Sequence, residues 1–244
     1  MTVHERNISA PIDPVKLDRL AEVAIRVGLN LQPGQDLLLT APAVALPLVR
    51  KIAEHAYRAG AGLVTPILSD EAVTLSRYRF GADDGFDRAA GWLYEGMAKA
   101  FAANTARLAI VGENPMLLAG QDPAKVARAS KANSIAYQPA LEKIVNFDVN
   151  WNLIAYPNPS WAKQAFPGEE DDVAVAKLAE AIFAASFQRA ALWPRMGGRR
   201  LRRQERDHLQ SKHPDRGSVH HAACAAGERA RRQLQAAFVS GFAD

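Results

Sequence analysis

The sequence predicts an α/β fold over residues 1–186, a mainly parallel sheet with helices on both faces. Three observations predict it. Short unbroken apolar runs such as Leu37-Leu38-Leu39 and Leu108-Ala109-Ile110-Val111 have the length and character of strands buried on both sides. Segments of helical period separate them, the alternation that builds a parallel sheet from crossover helices. Pro, Gly and Asn punctuate the junctions.

The first helix is marked by Asp13 as N-cap and Pro14 at the first helical position, where a missing N–H costs nothing. Leu17, Leu20, Ala21, Ala24 and Val27 recur on one face, and Gly28 reads as the residue that ends the helix. Gln32-Pro33-Gly34-Gln35 makes a turn into a strand over residues 36–40, closed by Ala41-Pro42. A helix over 46–59 stops at Gly60, and a strand over 63–68 follows. Pro66 inside that strand assigns it to a sheet edge or a strand end. Helices are expected over 70–79 and 84–104, the second with Trp92, Leu93 and Met97 on one face. The strand at 108–111 is closed by Gly112-Glu113-Asn114-Pro115. A helix over 123–145 should break near Pro139. A last strand over 151–156 ends at Pro157-Asn158-Pro159, and a final helix covers 171–185.

Bulk properties narrow the function. The chain has 244 residues, 48% hydrophobic and 23% charged, ordinary globular material for one large domain or one domain with an appendage. No apolar run approaches the ~20 residues that span a bilayer. Residues Met1–Ala10 carry charge and lack the apolar centre of a signal peptide. The single Cys224 excludes an internal disulfide framework and fits a reducing compartment. The expectation is a soluble, cytoplasmic protein with no membrane partner.

The charge is divided unevenly. Residues 1–186 hold 18 Lys+Arg and 21 Asp+Glu, a net of −3, whereas residues 187–244 hold 12 and 5, a net of +7. The sequence pI of about 9.3 therefore belongs to the second segment. The expected organisation is an α/β domain over 1–186 and an arginine-rich, poorly packed tail over 187–244.

The α/β segment offers no catalytic motif. It has neither a glycine-rich phosphate loop nor a G-x-S-x-G elbow. His4 falls in the terminus, and His55 falls in a helix, where it reads as a surface or boundary residue rather than a ligand. Asp83-Asp84 and Glu169-Glu170-Asp171-Asp172 stand just before expected helices, where carboxylates favour the positive end of the helix dipole. No catalytic, cofactor-binding or metal-binding residue is assigned.

Several separated strings carry a resemblance. LQPGQDLLLTAP at 31–42, AYRAGAGLV at 56–64, ARLAIVGENPMLLAGQDPAKVARA at 106–129 and the stretch 151–183 resemble, in order, the N-terminal domain of the thermophilic-type metallo-aminopeptidases, the aminopeptidase T and S group. The resemblance covers about residues 13–186. It implies a two-domain hydrolase, homodimeric, that releases N-terminal amino acids from peptides with two divalent metal ions (Zn, Co or Mn). It also implies that Glu, His and Asp ligands come from a second domain beginning directly after Phe183-Ala184-Ala185-Ser186. No residue of this chain matches those ligands, so none is carried over and no metal is expected on this chain.

Three readings of residues 187–244 compete. Arg195, Arg199, Arg200, Arg202, Arg203 and Arg206 would bind phosphate backbones through counterion release, which makes the chain a non-enzymatic α/β module with a nucleic-acid-binding arm. His208, His213, His220, His221 and Cys224 would form a metal site, but their spacing fits no zinc pattern. Finally, the segment reads as the second domain translated off-register. Permitted codons for ERDHLQSKHPDRGSVHHA at 205–222 read, one base later, NGITCNPNIPTEEVFTTP, which resembles the family's PTEEVFT segment with its metal-ligating glutamate. The same register extends to both sides. On this reading the tail has no selected apolar periodicity beyond a short adventitious helix at 228–237, and Arg229, Arg231 and Arg232 attract polyanions without specificity.

Overall fold

The fold is described from a computed structural model, which defines residues 12–192. His4, the arginine run, the tail histidines, Cys224 and the helix expected at 228–237 lie outside the described residues.

Helix α1 (Pro14–Val23) starts as expected, with Asp13 Oδ1 accepting from the N–H groups of Val15 at 2.8 Å and Lys16 at 3.2 Å. It does not stop at Gly28. It continues as a π-helical stretch, Ala24–Leu29, and ends at Asn30, whose φ of 51° is left-handed and whose N–H reaches back to the Ile25 carbonyl. Gly28 serves close packing instead, since a β-carbon there would lie 2.1 Å from Asn152 Nδ2.

Strand β1 (Leu37–Pro42) leads through one 3-10 turn into α2 (Leu46–Arg58), and Gly60, at φ 91°, turns the chain into β2 (Val64–Ser69). Helix α3 (Glu71–Phe80) is capped by Asp70, which accepts from Val73 N–H at 2.9 Å. Then come α4 (Gly91–Ala102), β3 (Ala106–Val111), α5 (Pro123–Val145), β4 (Trp151–Ala155), α6 (Pro159–Ala165) and α7 (Asp171–Leu192).

The four strands are all parallel, in the order β2-β1-β3-β4. This is the α/β sheet that the apolar runs predicted. Its two faces can be assigned from register. Leu38 pairs with Arg107, which pairs with Trp151, and Leu38 packs with Met97, Phe101, Ala140 and Ile144 of α4 and α5. On the other face Asn152 reaches the Ala24 carbonyl beside α1, at 3.4 Å. Helix α7 joins that side through Lys16–Glu180 and through Arg19 over the Phe187 ring. Leu37, Leu39, Leu48, Ile52 and Leu108 are fully buried, so burial of branched aliphatics on both faces drives the assembly.

Several local expectations are corrected. Residues 84–104 are not one helix: Asp83–Asp87 is a 3-10 turn with Phe86 buried, and α4 begins only at Gly91. Arg128 of α5 holds that turn by pairing with Asp83 and Asp87. Trp92 is exposed at 76%, whereas Leu93 and Met97 face the core. Helix α5 runs through Pro139 as one element. Helix α6 was not anticipated, and α7 extends past Ser186, with Phe187 stacked on Phe183 at 5.9 Å between ring centres.

Candidate functional site

Strands β1 and β3 are neighbours, yet their crossovers leave in opposite directions, to β2 and to β4. The crevice at the carboxyl ends of such a strand pair is where open α/β sheets receive ligands. Glu71, the first residue of α3, reaches across this edge. Its Oε1 accepts from Asn114 N–H at 2.8 Å, beyond β3, and from Asn158 Nδ2 at 2.9 Å, beyond β4. One carboxylate oxygen thus ties together the loops that follow three strands.

Both asparagines are committed elsewhere as well. Asn158, 4% exposed, caps α6 by accepting from Ser160 N–H at 2.8 Å. Asn114 Oδ1 accepts from Met116 N–H at 2.9 Å and from Gln164 Nε2 at 3.3 Å. The β3 and β4 loops touch at Gly112, whose φ is 149°. Glu113 Oε2 accepts from Gly112 N–H at 3.2 Å. Tyr156 is buried beside them, and that burial pushes its phenol above its ordinary range.

Chemically, this edge presents carboxylates and asparagine amides that bond to one another and to the backbone. It lacks the pairing of a nucleophile with a base that acyl transfer needs. A two-metal hydrolase requires several carboxylates and imidazoles around a pair of ions. Among the described residues no group of three or more His, Cys, Asp and Glu side chains could hold a metal ion. The residues here therefore do not fit such a centre, and no chemical step is derived through one.

The carboxylate clusters noted in the sequence are spent on structure. Asp83 and Asp87 pair with Arg128, and Asp84 pairs with Arg88. Asp171 pairs with Lys163 and Glu169 with Lys177, while Asp171 and Asp172 occupy the first turn of α7. His55 is buried, at 7% exposure, rather than on the surface. Its Nε2 lies 3.3 Å from Asp18 Oδ2, a contact between α2 and α1 that lacks hydrogen-bond alignment. Burial pushes the Asp18 carboxyl up, but His55 and Lys51 outweigh it and hold the group below its ordinary value of 3.8.

The Glu71 tie was missed in the sequence because its members are 43 and 87 positions apart. A signal was present. Val111 and Ala155 are register partners, and each is followed three residues later by an Asn-Pro pair, Asn114-Pro115 and Asn158-Pro159.

A sequence model of the thermophilic metalloprotease (M29) family matches residues 14–197. The chain belongs to this family. Aminopeptidase T of Thermus thermophilus is 49% identical over 170 residues, which is 70% of this chain and 42% of that protein. Aminopeptidase 2 of Geobacillus stearothermophilus is 38% identical over 168 residues, 69% of this chain and 41% of its own length. The solved structure of wild-type AmpT from Thermus thermophilus superposes with a TM-score of 0.68 at 49% identity, covering 70% of this chain and 43% of that one. The chain thus spans well under half the length of the M29 relatives it matches. Among the described residues no helix is long and apolar enough to cross a membrane.

Proposed function

We propose that residues 14–186 are the lobe of a metallo-aminopeptidase that walls the substrate cleft and restricts peptide length, with the metal-holding chemistry on another part of the enzyme. The observation that carries this reading is the 49% identity over 170 residues, confined to 42% of the Thermus relative. The Glu71 tie supports it: one carboxylate oxygen that joins three loops gives this edge a rim held by hydrogen bonds. We infer further that residues from shortly after Ser186 onward are the second domain read off-register. The net charge of +7 on residues 187–244, against −3 on residues 1–186, supports this reading.

The purified chain should then have no aminopeptidase activity of its own. Hydrolysis of an aminoacyl-nitroanilide with added zinc, cobalt or manganese tests this, and metal-dependent turnover that copurifies with the chain overturns it. The gene's triplets test the junction. A one-base shift should open a frame with Glu, His and Asp ligands, and a shifted frame without them refutes the off-register reading. Under the rival reading, a basic nucleic-acid-binding arm, DNA would be preferred to heparin, with a defined site size and loss on removal of 187–244. Equal binding of both polyanions counts against it.

A further inference from the structure

Residues 70–90 are fastened to the lobe by few groups. Of the described residues 57–96 only Phe86 is buried. Helix α3 has no buried residue, and its inner face, from Glu71 to Tyr78, is half-buried at most. Small residues flank the segment, Ser69 at the end of β2 and Ala89-Ala90 before α4, the kind of position that absorbs a hinge motion.

The segment is held at both ends. At its start the Glu71 carboxylate accepts from Asn114 N–H and Asn158 Nδ2, across the crevice at the carboxyl ends of the strands. At its far end the 83–87 turn is gripped by two arginines. Arg128 of α5 donates Nε and Nη2 to the two oxygens of Asp87, Nη1 to Asp83 Oδ2 at 2.9 Å, and Nη2 to the Asp83 carbonyl at 2.9 Å. Arg77 Nη2 donates to the Gly85 and Arg88 carbonyls at 2.8 and 2.9 Å. The Phe86 ring lies 5.3 Å from the Tyr78 ring, with the Arg77 and Lys125 cations 5.7 and 5.2 Å from its centre. Arg77, Tyr78 and Phe86 all belong to the segment, so α3 and the turn cohere. Lys125, Arg128, Asn114 and Asn158 belong to the elements it rests against.

We propose that residues 70–90 form a strap across the carboxyl edge of the sheet that lifts as one unit, with the Arg128 clasp setting how often it opens. Lifting exposes one buried aromatic and breaks ion pairs that water already reaches, the Arg128 side chain being 34% exposed and that of Asp83 68%. Unfolding the sheet would instead expose the aliphatic core. Openings of the first kind lie well below global unfolding in free energy, and lids over binding crevices are drawn from them. The clasp governs the frequency because bidentate, charge-assisted bonds are the strong ones among exposed contacts. When the strap lifts, Asn114 N–H and Asn158 Nδ2 lose their shared acceptor and the crevice between β1 and β3 becomes accessible.

Residue-resolved amide exchange on the full chain tests this. The probes are Thr74 and Gly81 of the α3 region, Gly85 of the turn and Asn114, whose N–H bonds Glu71; Ala106 and Arg107 report on the sheet. In the wild type under low urea, the four probes should merge into one opening. Its urea slope should be smaller than that of the sheet amides, because less surface is exposed. Arg128→Gln should speed all four by a common factor, on the order of tenfold, and leave Ala106 and Arg107 unchanged. Thr74 and Asn114 decide the matter, since neither touches Arg128. Acceleration confined to Gly85, an unchanged Asn114 amide, equal acceleration of the sheet, or wild-type probes that open separately overturns the proposal. Neither measurement uses peptidase activity, so the strap and the proposed function stand or fall separately.

Discussion

The carbonyl oxygen of Tyr156 occupies the place a side chain on Gly112 would need: a β-carbon there would lie 2.1 Å from it. Gly112 also has φ 149°, a conformation that L-residues rarely adopt. Because the obstacle is backbone, it cannot rotate away. Gly112→Ala should therefore cost about 2–4 kcal/mol by pushing the β3 and β4 loops apart. Urea unfolding measures this, and a loss below about 0.5 kcal/mol would show that the loops give way freely.

The Glu71–Asn158 contact makes a charge-dependent prediction. Asn158→Ala removes the α6 cap and one donor to Glu71 and should cost about 2–3 kcal/mol. Asn158→Asp keeps an oxygen for the cap but sets a second carboxylate against Glu71. That variant should be the weaker of the two at pH 7 and should recover part of its stability as pH falls and one carboxyl takes a proton. Thermal melts of both variants from pH 7 to pH 4 compare them, and parallel curves would show that charge is not the issue.

Asp18 should contribute to the acid limb of the stability profile. Its folded-state carboxyl is held below 3.8 by His55 and Lys51, against burial that raises it. A lowered carboxyl gives stability that is present above the unfolded value and lost as pH falls through the folded one. The window is therefore below about pH 4. Asp18→Asn should lower stability at pH 7 and flatten the drop as pH falls below about 4. The side chain is 42% exposed, so solvent screening keeps the effect small. An unchanged acid limb in Asp18→Asn would remove the α1–α2 ion pair from the account.

How much of this was legible in the sequence varied with the range of the interaction. The Asp13-Pro14 start of α1, the stop at Gly60 and the edge position of Pro66 are local signals, and the structure keeps all three. The 84–104 segment misled because helical period alone does not register Arg128, some 40 positions away, holding Asp83 and Asp87 in a tighter turn. Gly28 looked like a helix stop because its partner, Asn152, lies on another element. His55 lacked any local mark of burial, since the Asp18 beside it belongs to α1, 37 positions earlier in the chain. The Glu71 tie joins three loops that only the sheet brings together, and the paired Asn-Pro signals acquire meaning only once β3 and β4 are in register.

On the proposed function the lobe is built and the metal centre lies elsewhere. Exhaustive dialysis of the purified chain against zinc, cobalt or manganese, followed by elemental mass spectrometry, tests it most directly. The expected result is no retained pair of ions per chain. Two tightly held ions per chain would contradict it.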